Sequence, residues 1–181
     1  PITEYCDQHR LSTTERLRLF CAVCDAVKFA HQKLVVHRDL KPGNMLVDEA
    51  GAPKLLDFGI SKVLVGAGSA EVTAAGERRY TPEYASPEQV AGQPLGTATD
   101  IYSLGVILYE LLCRHRPYSF KTRATAEIER VVCNQVPLPP SSVVERSQDS
   151  VGDSQPRTAW GAIRGAREDT PHRLRRRLAG D

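Results

Sequence analysis

The stretch VVHRDLKPGNMLVDEAGAPKLLDFGIS, residues 35–61, constrains the fold of this chain more than any other. It sets Asp39, Lys41, Asn44 and Asp57 among apolar runs (LVV at 34–36, MLV at 45–47, PKLL at 53–56) that are too short to be helices. The runs that flank DEAGA read as a β-hairpin, with Gly51 and the acidic pair at its turn. The second strand leads straight into Asp57.

Helical patterns surround this segment. LSTTERLRLFCAVCDAVKFAHQK opens with Ser12 and Glu15 in capping-box spacing. Leu17, Phe20, Cys24, Val27 and His31 then recur at intervals of three and four, which predicts an amphipathic helix over roughly 13–32. Residues 1–9 form a short helix before it. TATDIYSLGVILYELLC, residues 97–113, repeats the capping-box spacing at Thr97 and Asp100, and its apolar residues surround most of the helix, which places it at the domain centre. RATAEIERVVC, residues 123–133, reads as a more exposed helix. Between them, 61–87 carry little periodicity and are broken by Gly66, Gly68, Gly76, Pro82 and Pro87, the pattern of a long functional loop. The expected class is α+β and mainly helical, with one small hairpin.

Residues 1–140 hold 16 Lys/Arg against 16 Asp/Glu, and 141–181 hold 8 against 6, so the excess charge lies in the tail. A neutral body argues against nucleic acid as the main partner. After PLPP (137–140) the composition turns to Ser, Arg, Gly and Asp, so 1–140 read as the folded unit, 141–171 as a flexible insert, and the basic 172–181 as a possible helix. The longest apolar stretch, 101–113, contains Ser103 and Glu110 and is too short to span a bilayer. Five cysteines without framework spacing favour a reducing, cytoplasmic setting. Cys21 and Cys24 fall within a helical pattern with no second pair of ligand spacing, so core packing accounts for them better than zinc.

Two carboxylates and an amide, Asp39, Asp57 and Asn44, are hard oxygen donors suited to Mg²⁺. Lys41 adds a positive charge on the same loop, and the pair is the equipment for stabilising charge on a transferring phosphoryl group. A carboxylate not spent on metal can take the proton of an attacking hydroxyl.

In this order and spacing, HRDLKPGN (37–44), DFG (57–59), TPEYASPE (81–88) and DIYSLGVILYELL (100–112) resemble the large lobe of eukaryotic-type protein kinases, and the wording is most similar to bacterial members of the serine/threonine branch. The resemblance covers about residues 1–135 and implies a kinase-like C-terminal lobe that acts with ATP and Mg²⁺ on protein substrates. It implies that Asp39 is the catalytic base, that Lys41 contacts the γ-phosphate, and that Thr81 bonds both from the substrate-docking loop. It assigns Asn44 and Asp57 to Mg²⁺ and Leu46 to the floor of the adenine site. His37, Phe58, Gly59, Glu88 and Asp100 take structural parts. Arg38 is implied to receive a phosphate on the activation loop, where Ser69, Thr73 and Thr81 are candidates and Thr73 the best; Glu77 is an alternative that replaces the phosphate.

No G-x-G-x-x-G and no V-A-I-K-like strand precede the catalytic loop, and an arginine to pair with Glu88 cannot be placed. The expectation is therefore a large-lobe fragment that requires a small lobe and is inactive alone. Two other classes compete. One is a non-catalytic binding module or truncated pseudokinase, against which the intact Asp39, Asn44 and Asp57 speak. The other is a small-molecule phosphotransferase, for which a peptide-docking segment is superfluous.

Overall fold

The computed structural model describes residues 1–58 and 80–143. Its helices include α1 (Ile2–Gln8), α2 (Thr13–Gln32), α3 (Pro87–Val90), α4 (Thr97–Cys113) and α5 (Thr125–Asn134). Two strands, β1 (Met45–Val47) and β2 (Pro53–Leu55), form one antiparallel sheet in which Leu46 faces Lys54. The mainly helical α+β expectation holds.

Ser12 starts α2 with a reciprocal box: its hydroxyl accepts from the Glu15 N–H at 3.4 Å, and Glu15 Oε2 accepts from the Ser12 N–H at 2.8 Å. Such a cap is worth about 1 kcal/mol. The buried face of α2 comprises Thr13, Arg16, Leu19, Phe20, Val23, Val27 and Ala30. This corrects the expected stripe, because Leu17 is exposed and Cys24 and His31 are only half-buried. A charged residue took a core position that periodicity assigns to apolar ones. Arg16 is 2% exposed and spends its guanidinium on the carbonyls of Leu11, Cys6 and Leu111 and on the Asp7 carboxylate at 2.6 Å. It thereby fastens α1 to α2 and to the end of α4. Arg114 approaches the same Asp7 oxygen at 2.8 Å as an ion pair off the hydrogen-bond axis.

The apolar run at 34–36 makes no strand. Leu34 N–H bonds the His31 carbonyl and Val35 N–H bonds the Ala30 carbonyl, with Leu34 left-handed at φ 60°. That is a Schellman ending of α2, with leucine where glycine is usual. The hairpin turn follows its chemistry: Asp48 Oδ1 accepts from the Ala52 N–H at 2.8 Å, and Gly51 adopts φ 79°.

α4 lies against α2, and their buried Leu19, Phe20, Val23, Val27, Leu104, Ile107 and Leu111 join Ile2, Cys6, Leu40 and Met45 in the main core. Each fully buried aliphatic side chain contributes about 1.5–3 kcal/mol. A second cluster of Ala85, Val90, Ile128 and Val132 packs α3 on α5. The expected capping box at Thr97 and Asp100 does not form. Gly96 precedes the first turn without a side-chain cap, and Asp100 turns inward, fully buried. α4 is also less buried all round than expected, since Ile101 is 62% exposed. Among the described residues no helix is long and apolar enough to cross a membrane.

Candidate active site

After its Schellman ending the chain crosses the first turn of α4, where Asp100 waits. Asp100 Oδ2 accepts from the His37 N–H at 2.8 Å, and Oδ1 accepts from the Arg38 N–H at 2.8 Å. His31 Nε2 donates to Oδ2 at 2.8 Å. One buried carboxylate thus satisfies two backbone donors of a loop and fixes its path. Arg38 needs this restraint, because it sits left-handed at φ 68°, a conformation that costs a non-glycine residue about 1–2 kcal/mol. Its carbonyl is held from the other side by Gln89 Nε2 at 2.7 Å. Gln89 belongs to α3, whose start Ser86 and Gln89 cap reciprocally around Pro87.

His37 is buried beneath the loop. Its Nε2 donates to the Leu56 carbonyl at 2.8 Å, and its ring meets Phe58 at 5.0 Å between centroids. Leu56 N–H in turn bonds the Asn44 carbonyl at 2.9 Å. The exit of β2 is therefore stitched to the entry of β1, which sets Asp57 beside Asn44.

The polar groups converge in the loop before β1. Lys41 Nζ donates to Asp39 Oδ2 at 2.9 Å and to Thr81 Oγ1 at 3.3 Å, while the Thr81 hydroxyl donates to Asp39 Oδ1 at 3.3 Å. Residues 40 apart in sequence close a triangle around one carboxylate. Asp39 keeps 24% of its side chain in solvent, so it is reachable. Asn44 Nδ2 donates to the Asp39 carbonyl at 2.9 Å, which turns the amide oxygen away from the loop backbone. Asp57 is exposed at φ 52°, and no bond holds its carboxylate among the described residues. One amide oxygen and one carboxylate on two stitched segments are thus left without hydrogen bonds among the described residues, and both are the hard donors that a small divalent cation takes. Leu46 is the exposed residue of β1, an apolar surface beside that pair.

Glu88 Oε1 accepts from the Thr99 hydroxyl at 2.7 Å, tying α3 to α4. Burial pushes its carboxyl upward, but hydrogen bonds from Thr99, its own backbone and Ser86 outweigh this and hold it below the ordinary value. Gly59, Ser69, Thr73 and Glu77 lie outside the described residues. Cys21 is exposed and Cys24 packs at the core edge; no group of three or more His, Cys, Asp or Glu side chains poised for a metal occurs among the described residues.

Sequence reasoning missed Gln89, His31 and Thr99 as supports. Ser86 and Gln89 stand in capping-box spacing, which signals α3 and so the placement of Gln89. His31 and Thr99 carry no such signal, because their partners lie 69 and 11 residues away.

Comparison with known proteins gives the same outline. The model of the protein kinase domain matches residues 2–155. The serine/threonine-protein kinase PknB of Mycobacterium tuberculosis (H37Rv) is 33% identical over 126 residues, which is 70% of this chain and 20% of that protein. PknB of Mycobacterium leprae is 34% identical over 127 residues, with the same coverage. PknA of Mycobacterium tuberculosis (H37Ra) is 37% identical over 131 residues, 72% of this chain and 30% of that protein. The chain therefore spans a fifth to under a third of these relatives, and the part it spans belongs to the protein kinase domain family.

Proposed function

We propose that this chain is the substrate-side lobe of an ATP-dependent protein serine/threonine kinase. The observation that carries the reading is the triangle of Asp39, Lys41 and Thr81 next to the unspent oxygens of Asn44 and Asp57. Asp39 accepts the proton of the attacking seryl or threonyl hydroxyl and holds its oxygen in line. Lys41 offers positive charge where the transferred group gains negative charge. Thr81 fixes both side chains and joins them to the peptide-docking segment. Asn44 and Asp57 would hold Mg²⁺, and Leu46 would lie under the adenine. Bound MgATP supplies the electrophilic phosphoryl group and a cation that spreads its charge.

Arg38 is the regulatory element of this reading. Its Nε is buried without a hydrogen-bond partner among the described residues, an environment that favours an incoming anion. A phosphate on Thr73, or the carboxylate of Glu77, would fill that place. Partners are ATP, protein substrates and a small lobe, in the cytoplasm. A small-molecule phosphotransferase would have no use for the bond between Thr81 and Asp39.

The test is transfer from radiolabelled ATP to a protein acceptor by the full-length protein that contains this chain. Asp39→Ala should lower kcat by about 10²–10⁴-fold, the usual contribution of a positioned base. Phosphoamino-acid analysis should find phosphoserine and phosphothreonine, and the 181-residue chain alone should transfer negligibly. Full activity in Asp39→Ala, or label appearing on tyrosine, contradicts the proposal.

A further inference from the structure

A second ionic cluster lies one step from Thr81 and is not used by the chemistry above. Glu83 follows Thr81 by two residues, so along the chain it stands within about 7 Å of the docking threonine. Tyr84, next in line, donates its phenol to Glu110 Oε2 at 2.7 Å. The Glu83 and Glu110 carboxylates are 16% and 19% exposed. Together they form an acidic notch beside the segment that receives the peptide.

This notch already holds a guanidinium. Arg116 stands over the Tyr84 ring at 5.3 Å, with Nη1 3.9 Å from Glu83 Oε1 and Nε 3.7 Å from Glu110 Oε1. Both separations are too long for hydrogen bonds, so Arg116 is held by charge and by the ring face rather than by a locked fork. Arg123 meets Glu83 at 3.1 Å from the solvent side and is 81% exposed. Two carboxylates thus face two guanidiniums, and the solvent-facing members are the cations.

We propose that Arg116 is a specificity residue: it occupies, from within the chain, the place that the Glu83–Glu110 notch would otherwise offer to a basic side chain of the substrate. The proposal rests on the reading of the Thr81 segment as the peptide dock. With Arg116 in place, an arginine on the peptide meets a like charge at the notch. Without it, among the described residues Glu110 keeps only the Tyr84 phenol and Glu83 only the exposed Arg123, so the notch carries excess negative charge beside an aromatic face, which suits a guanidinium.

The experiment measures binding of fluorescein-labelled serine peptides to the 181-residue chain by anisotropy at low ionic strength. The peptides carry arginine, alanine or glutamate at the two positions next to the acceptor. The wild-type chain should bind the arginine peptide no more tightly than the alanine peptide. Arg116→Ala and Arg116→Gln should each tighten the arginine peptide about tenfold relative to the alanine peptide, the effect of one charge-assisted pair. Adding Glu110→Gln should restore the wild-type ratio. Arg116→Gln keeps a polar stem over Tyr84 and carries the test if Arg116→Ala fails to fold, as read by circular dichroism. A merely structural Arg116 would move the melting temperature and not the ratio. A wild-type preference for the arginine peptide, an unmoved ratio in the variants, or no peptide binding by them overturns the proposal. The ratio needs no ATP, so a shifted ratio with no phosphoryl transfer by the full-length protein sinks the kinase reading alone, and transfer by that protein with an unmoved ratio sinks this inference alone.

Discussion

Replacing Asp100 with asparagine isolates what holds the loop of Asp39. The substitution preserves size and removes one acceptor oxygen and the charge. If the amide oxygen takes the place of Oδ2, it still meets His37 N–H, and the Arg38 N–H then faces an NH₂ group. Losing that charge-assisted bond removes about 1.5–3 kcal/mol. Reducing the remaining two to neutral bonds halves them, a further loss of about 1.5–3 kcal/mol. The expected total is about 3–6 kcal/mol, a large share of the roughly 5–15 kcal/mol that stabilises a domain. In urea, with a slope of about 2 kcal/mol per molar, the midpoint should fall by about 2 M. Hydrogen exchange supplies the local readout: the His37 and Arg38 amides should be protected in the wild type, and Arg38 should lose protection first in Asp100→Asn. A midpoint within about 0.3 M of wild type, about a seventh of the expected shift, would refute the assignment of Asp100 as the anchor.

Other substitutions probe the supports separately. Leu34→Gly should stabilise the chain by about 0.5–1 kcal/mol, because Leu34 is left-handed and 93% exposed; Leu34→Ala, which keeps the Cβ, should not, and equal midpoints for the two would contradict the Schellman reading. Arg16→Met should cost about 3 kcal/mol in urea denaturation, since three carbonyls and Asp7 lose a charged donor that no methionine replaces. Glu88 has a folded pKa below its ordinary 4.5, so its contribution is present above that value and fades as pH falls through the folded pKa. The stability gap between wild type and Glu88→Gln should therefore narrow below pH 4.5, and a gap that widens there would reverse the sign.

Local chemistry was legible wherever local forces decide. Ser12 and Glu15 announced α2, and Asp48 with Gly51 announced the hairpin turn, because those bonds close within three or four residues. The order of Asp39, Asn44 and Asp57 leads to the proposed phosphoryl-transfer set for another reason: few chemistries need those groups together. The features that local pattern does not predict share a cause. Asp100 has the spacing of a cap, yet its carboxylate is claimed by His37 and Arg38, 63 and 62 residues earlier. Arg16 looks like a surface cation and is buried because carbonyls from three separate segments need a donor at one point. The run at 34–36 has strand composition, and the closing bonds of α2 reach it first. Tertiary partners that outbid a local preference leave no periodic trace.

The segment from Thr81 to Gln89 is riveted to the loop of Asp39 at two places, by Gln89 on the Arg38 carbonyl and by the Thr81 hydroxyl on Asp39. On the proposed function, in which that segment grips the peptide and Asp39 takes the proton, the span between the two is set inside this lobe, like the jaws of a caliper at one opening. Grafting the lobe onto a foreign nucleotide-binding half would then change how fast phosphate moves and leave unchanged which residue of a peptide receives it.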